Sequence, residues 1–164
     1  MTFPRKYGGA TATSKGDNAR SAISFADGSS ILIGEFEGTE SFGGTNYTSA
    51  GEDDAFIAKL DPKGDIDWLT HFGGTGDEDA FAIAGAPDGS FRVIGSFENS
   101  VDFGETTHVS SGEEDIFVAK LDQSGNFVWT KHYGGLGIDG GEGDYQFDDS
   151  IIVLPGGTGD EYGS

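Results

Sequence analysis

Cysteine is missing from this chain of 164 residues, and lysine and arginine together number only 9. The first absence excludes a disulfide framework and any thiolate-bound metal. The shortage of bases, set against 29 acidic residues, leaves a net charge of −20. A surface of that sign repels phosphates, so neither nucleic acid nor an anionic lipid surface is expected as a partner. It suits a cation-rich environment, a basic partner or plain solubility. No apolar run approaches the ~20 residues of a membrane helix, so membrane insertion is not expected. Met1 to Tyr7 hold no hydrophobic stretch of the kind a signal peptide carries. No segment shows a sustained i, i+3, i+4, i+7 apolar stripe, which argues against helices. Catalytic signatures are missing as well: there is no G-x-S-x-G, H-E-x-x-H or Walker-type loop. Gly73-Gly74-Thr75-Gly76 is glycine-rich, but acidic residues follow it and no helix does, so it would repel a phosphate.

What the chain has is glycine (29 residues), phenylalanine (13 residues) and a repeat. Asp54-Ala55-Phe56-Ile57-Ala58-Lys59-Leu60-Asp61 returns as Asp115-Ile116-Phe117-Val118-Ala119-Lys120-Leu121-Asp122, and 115 − 54 gives a period of 61. The same offset relates Asp27-Gly28 to Asp88-Gly89, Gly34 to Gly95, Phe36 to Phe97, Phe42-Gly43 to Phe103-Gly104, Gly64 to Gly125 and Trp68 to Trp129. An aromatic followed by two glycines marks unit boundaries at Tyr7, Phe72 and Tyr133, the first interval being four residues longer (65 against 61). Glycine this dense, placed periodically, reads as tight turns between short strands.

Each unit divides into four strand candidates, A to D. In the second they fall at residues 80–86, 90–97, 115–121 and 126–133, with residues 98–114 as a long B–C loop. Along strand C, Phe117, Ala119 and Leu121 point one way while Ile116 and Val118 point the other. A sheet apolar on both faces must be covered on both. Strand A, rich in alanine, suits an innermost position. The expected fold is therefore all-β: a partial β-propeller of four-stranded antiparallel blades. Its expected parts are the last strand of a preceding blade (1–7), blade repeats at 8–71 and 72–132, and a partial, eroded repeat at 133–164. Such an arc cannot close alone, so a fragment, or a ring completed by further blades of the same or another chain, is expected.

The string from Asp54 to Trp68, the following Phe72-Gly73-Gly74-Thr75-Gly76-Asp77 and the Asp88-Gly89-Ser90 to Ile94-Gly95 segment resemble the bacterial β-propeller repeat of the SBBP type. That resemblance covers nearly the whole chain. It implies a scaffold in a large secreted or cell-surface protein. A looser likeness to quinoprotein-type propellers rests on Ala58-x-x-Asp61-x-x-Gly64-x-x-x-Trp68 and Ala119-x-x-Asp122-x-x-Gly125-x-x-x-Trp129. It implies that Asp61, Gly64, Asp122 and Gly125 shape the C–D turns, that Trp68 and Trp129 pack between blades, and that no cofactor pocket is attached to them.

Acidic clusters recur: Glu52, Asp53 and Asp54; Glu113, Glu114 and Asp115; and Asp77, Glu78 and Asp79. Strands A and C run the same way in an up-and-down blade, so these clusters share one face. Calcium is the ion such carboxylates could hold; the competing reading is a solvated acidic rim, and no D-x-D-x-D-G loop is present. His71, His108 and His132 read as surface or packing residues, His71 and His132 lying one blade apart. The near identity of the units favours a non-catalytic structural or interaction module with an unidentified protein or glycan ligand. The alternatives are part of a propeller-fold hydrolase or lyase acting on glycans, and a calcium-stabilised adhesion module.

Overall fold

The structure, a computed structural model, describes residues 16–138 and the strands at 146–148 and 151–153. The expected strand at residues 1–7 lies outside them, as does most of the third repeat. All regular secondary structure in the described residues is strand, in this order: β1 (Asn18–Ser24), β2 (Ser30–Phe42), β3 (Thr45–Leu60), β4 (Ile66–Gly74), β5 (Glu78–Gly85), β6 (Phe91–Asp102), β7 (Thr107–Leu121), β8 (Phe127–Tyr133), β9 (Gln146–Asp148) and β10 (Ile151–Val153). The chain is all-β and every ladder is antiparallel.

Acidic side chains close the turns. Asp27 and Asp88 accept the amides of Ser29 (2.9 Å) and Ser90 (3.0 Å) between the first two strands of each repeat. Asp61 Oδ1 accepts the amides of Lys63 and Asp65, both at 2.8 Å, and Asp122 Oδ1 those of Ser124 (2.8 Å) and Asn126 (3.0 Å). These are Asx-type turns in which the carboxylate replaces a backbone acceptor.

Strands β1 to β4 and β5 to β8 each form a meander, and the first repeat's register returns in the second. Gly34 faces Phe56 and Gly95 faces Phe117. Hydrogen bonds nevertheless join β1 to β8 into one open eight-stranded sheet, because the tail of β4 pairs with the outer part of β6 through Gly73–Asp102 and Gly74–Val101. The hydrogen bonding therefore does not divide the chain into separate four-stranded blades.

The B–C segment is also more ordered than a loop. β6 and β7 continue into residues 98–114 as a hairpin, with Ser100, Val101 and Asp102 paired to Val109, His108 and Thr107. The register shifts between Glu98 and Ser100, where Asn99 has φ +55°. That bulge bends the hairpin, so that Phe103 at its tip reaches Phe117 and Phe127 at ring separations of 5.4 and 5.1 Å. The sequence signal was the Val101-x-Phe103 alternation ahead of Gly104, short and set among polar residues.

The core is built from unlike faces of the two repeats. Ile31, Ile33, Ala55 and Ile57 of the first share one buried cluster with Val93, Phe97, Phe117 and Ala119 of the second. By the 61-residue offset, Ile33 and Ile57 correspond to Ile94 and Val118, which lie on the other side of the second repeat in their own cluster with Ala82. Phe97, Phe117 and Ala119 correspond to Phe36, Phe56 and Ala58, which form a third cluster. Both faces of each repeat are thus apolar, and the contact between them is directional.

Candidate functional site

The acidic clusters separate into two seams. In the first, the Glu52 amide donates to the Gly76 carbonyl (3.3 Å), the Asp53 amide to Asp77 Oδ1 (3.2 Å) and the Glu98 amide to the Asp77 carbonyl (3.0 Å). The residues 52–54 and 77–78 therefore meet, with Glu98 beside them. In the second seam Asp115 is buried, Glu113 is exposed, and Glu114 bridges to Ile138.

Asp54 and Asp115 are both almost fully buried, and each accepts an amide four residues earlier: Ala50 at 2.9 Å and Ser111 at 3.0 Å. A Cβ on Gly73 would collide with the Asp54 carboxylate, and one on Gly134 with that of Asp115. This explains the first glycine of the repeated aromatic-Gly-Gly element: it gives the latch carboxylate room. Burial, only partly offset by the Ala50 amide, pushes the Asp54 carboxyl up.

Glu78 is entirely buried at the start of β5. Its Oε2 accepts the Gly74 amide at 2.7 Å, while Oε1 has no hydrogen-bond partner. Burial, with Asp54, Asp77 and Glu98 close by, pushes this carboxyl up to about 9. Asp79 lies at the edge of the same region, 3.5 Å from Arg20, whose Nε stands 2.8 Å from buried Glu35. Arg20 so ties the first repeat to the second. Burial raises the Glu35 carboxyl despite Arg20, and Glu35 in turn raises the Arg20 guanidinium.

Sequence reasoning missed Arg20 and Glu35. They occupy the slots of Phe81 and Ser96, so they break the repeat together, and a paired departure of opposite charge is the signal that could have found them. No group of three or more His, Asp or Glu side chains among the described residues is placed to hold a metal ion.

At the opposite ends of the strands, Gly125 (φ +82°) accepts the Thr70 hydroxyl through its carbonyl at 2.9 Å. A Cβ there would lie 2.7 Å from Cε3 of Trp68, and Trp68 stacks on Phe91 at 5.9 Å. The first repeat's tryptophan thus seats on the second repeat's C–D turn. An open cleft of about 570 Å³ beside it is lined by Thr70, His71, Phe103, Phe127 and Trp129. The second repeat also joins His108 to His132, Nδ1 to Nδ1, at 3.0 Å.

No protein-family model and no curated protein matches the chain.

Proposed function

We propose that the chain is a non-catalytic scaffold and interaction module of a secreted or cell-surface protein, formed by blade-like repeats that stack as an arc of a β-propeller and are completed by further repeats of the same or another chain. The observation that carries this reading is a face used once and left open once. Phe72 on β4 is 2% exposed beneath Phe103, Phe117 and Phe127 of the next repeat, whereas its counterpart Tyr133 on β8 is 56% exposed. Trp68 packs on Phe91 and Gly125; its counterpart Trp129 is 37% exposed. Because the repeats meet by unlike faces, the contact is of the heterologous kind that adds units until a ring closes. The two-rung β4–β6 ladder involves only the hairpin part of β6, and the Trp68 ring stacks on Phe91 away from it. Units that repeat the same turns, with the buried Asp54 and Asp115 carboxylates serving backbone amides in both, favour a scaffold over a catalytic site. The resemblance to the SBBP-type repeat supports the extracellular setting.

Sedimentation velocity over a wide concentration range tests the reading. The chain is expected to associate through the β8 face, and Trp129→Glu to return it to a folded monomer. A chain that stays monomeric throughout, with Trp129→Glu making no difference, would overturn the proposal.

A further inference from the structure

The second repeat carries a pair of imidazoles that the first does not. His108 comes from the bent hairpin at the start of β7 and His132 from β8; their rings lie 4.8 Å apart at 53°. The two Nδ1 atoms are 3.0 Å apart, and Nε2 of His108 lies 2.8 Å from the Thr130 hydroxyl. When Nε2 donates to that hydroxyl, the Nδ1 lone pair of His108 faces Nδ1 of His132. Phe103 holds the first ring edge-on at 5.7 Å and Phe97 the second at 5.9 Å. Both imidazoles are half-buried, so the pair is reached from solvent on one side.

Packing alone does not require two histidines there. At the equivalent positions of the first repeat (108 − 61 and 132 − 61) stand Tyr47 and His71, whose rings meet at 5.5 Å and 73°. The slot takes two flat rings of either kind. The second repeat fills it with two converging nitrogens instead.

We propose that His108 and His132 chelate one divalent transition-metal ion of the copper–nickel–zinc group through their Nδ1 atoms, with water in the remaining positions. Imidazole suits these ions, whereas calcium and magnesium prefer oxygen. Metal–nitrogen bonds of about 2.0–2.1 Å place two cis ligands of a square or octahedral ion about 3 Å apart, and two ligands of a tetrahedral ion about 3.3 Å apart. The observed separation of 3.0 Å falls at the first value, and the two rings turn from facing each other to facing the ion when it binds. Thr130 supplies the outer hydrogen bond that fixes a metal-binding imidazole in its tautomer. The net charge of −20 concentrates cations around the molecule. Binding needs no external proton acceptor: where the Nδ1 atoms share a proton, His132 carries it on Nε2 once the metal is seated.

The test is isothermal titration of the full chain with NiCl2 and ZnCl2 at pH 7.5, in millimolar MgCl2 to occupy surface carboxylates. One saturable site is expected, weakened at least tenfold in His108→Tyr, a substitution that copies the ring pair the first repeat already accommodates. Imidazole nitrogen–proton correlation spectra supply the second reading. Zinc should move the signals of His108 and His132 and leave those of His71, the third histidine of the chain, in place. An isotherm unchanged by His108→Tyr, no saturable site, or equal shifts at all three histidines would each overturn the assignment.

Discussion

Gly64 and Gly125 occupy the same place in successive C–D turns and share φ +82°, yet the space around them differs. Nothing lies within 4 Å of a Cβ on Gly64, whereas one on Gly125 meets the Trp68 ring. Gly64→Ala should therefore cost only the strain of a left-handed alanine, about 1 kcal/mol, and Gly125→Ala that amount plus displacement of Trp68, roughly 2–4 kcal/mol. Chemical denaturation of both variants checks the difference. Combining Gly125→Ala with Trp68→Ala should cost less than the sum of the two single changes, because the partners touch. Glu78 makes the second residue-scale prediction. A carboxyl raised from about 4.5 to about 9 in the folded protein favours folding fully below its unfolded value and loses that contribution as pH rises toward 9. Stability should thus fall between pH 5 and 9. Glu78→Gln should flatten that decline and stabilise the protein at pH 8 by roughly 2–4 kcal/mol. Asp88, held down to about 2 first by the Ser90 hydroxyl, works in the opposite direction, its contribution disappearing only as pH drops below the ordinary carboxylate range.

At the scale of elements, the hairpins at residues 38–50 and 99–111 are held against the sheet by the Asp54 and Asp115 latches. Asp115→Asn keeps the shape but exchanges a charged acceptor for a neutral one, and should cost about 1–2 kcal/mol. Hydrogen exchange should show faster exchange at the Ser111 amide and little change at Ala50, its counterpart in the other repeat. The positions of the strands were legible from the 61-residue period, the Asp-Gly turns and the two-faced apolar pattern. The hairpins were not, because their fold depends on the bulges at Gly38 and Asn99 and on tertiary contacts of Phe42 and Phe103 that no local pattern announces. The acidic positions were legible as clusters, but their partition was not. Asp54, Glu78 and Asp115 each accept an amide four residues earlier, and Asp54 and Asp115 also fit against Gly73 and Gly134, nineteen residues later, whereas residue type alone looks the same for exposed Glu113. The histidine pair escaped notice because 24 residues separate its members and the bend brings them together.

For the whole molecule, the directional meeting of unlike faces is the property from which the proposed role follows. A repeat that presents Trp68 and Phe72 forward and receives them on Phe91, Gly125, Phe103 and Phe117 can be extended by the same contact. Radical footprinting of the two tryptophans tests this most directly, applied to the chain and to a version in which a further copy of residues 73–133 follows Tyr133 in register. Trp129 should lose its reactivity in the extended version, down to the level of Trp68. Equal labelling of Trp129 with and without the added copy would contradict the stacking of repeats on which the account rests.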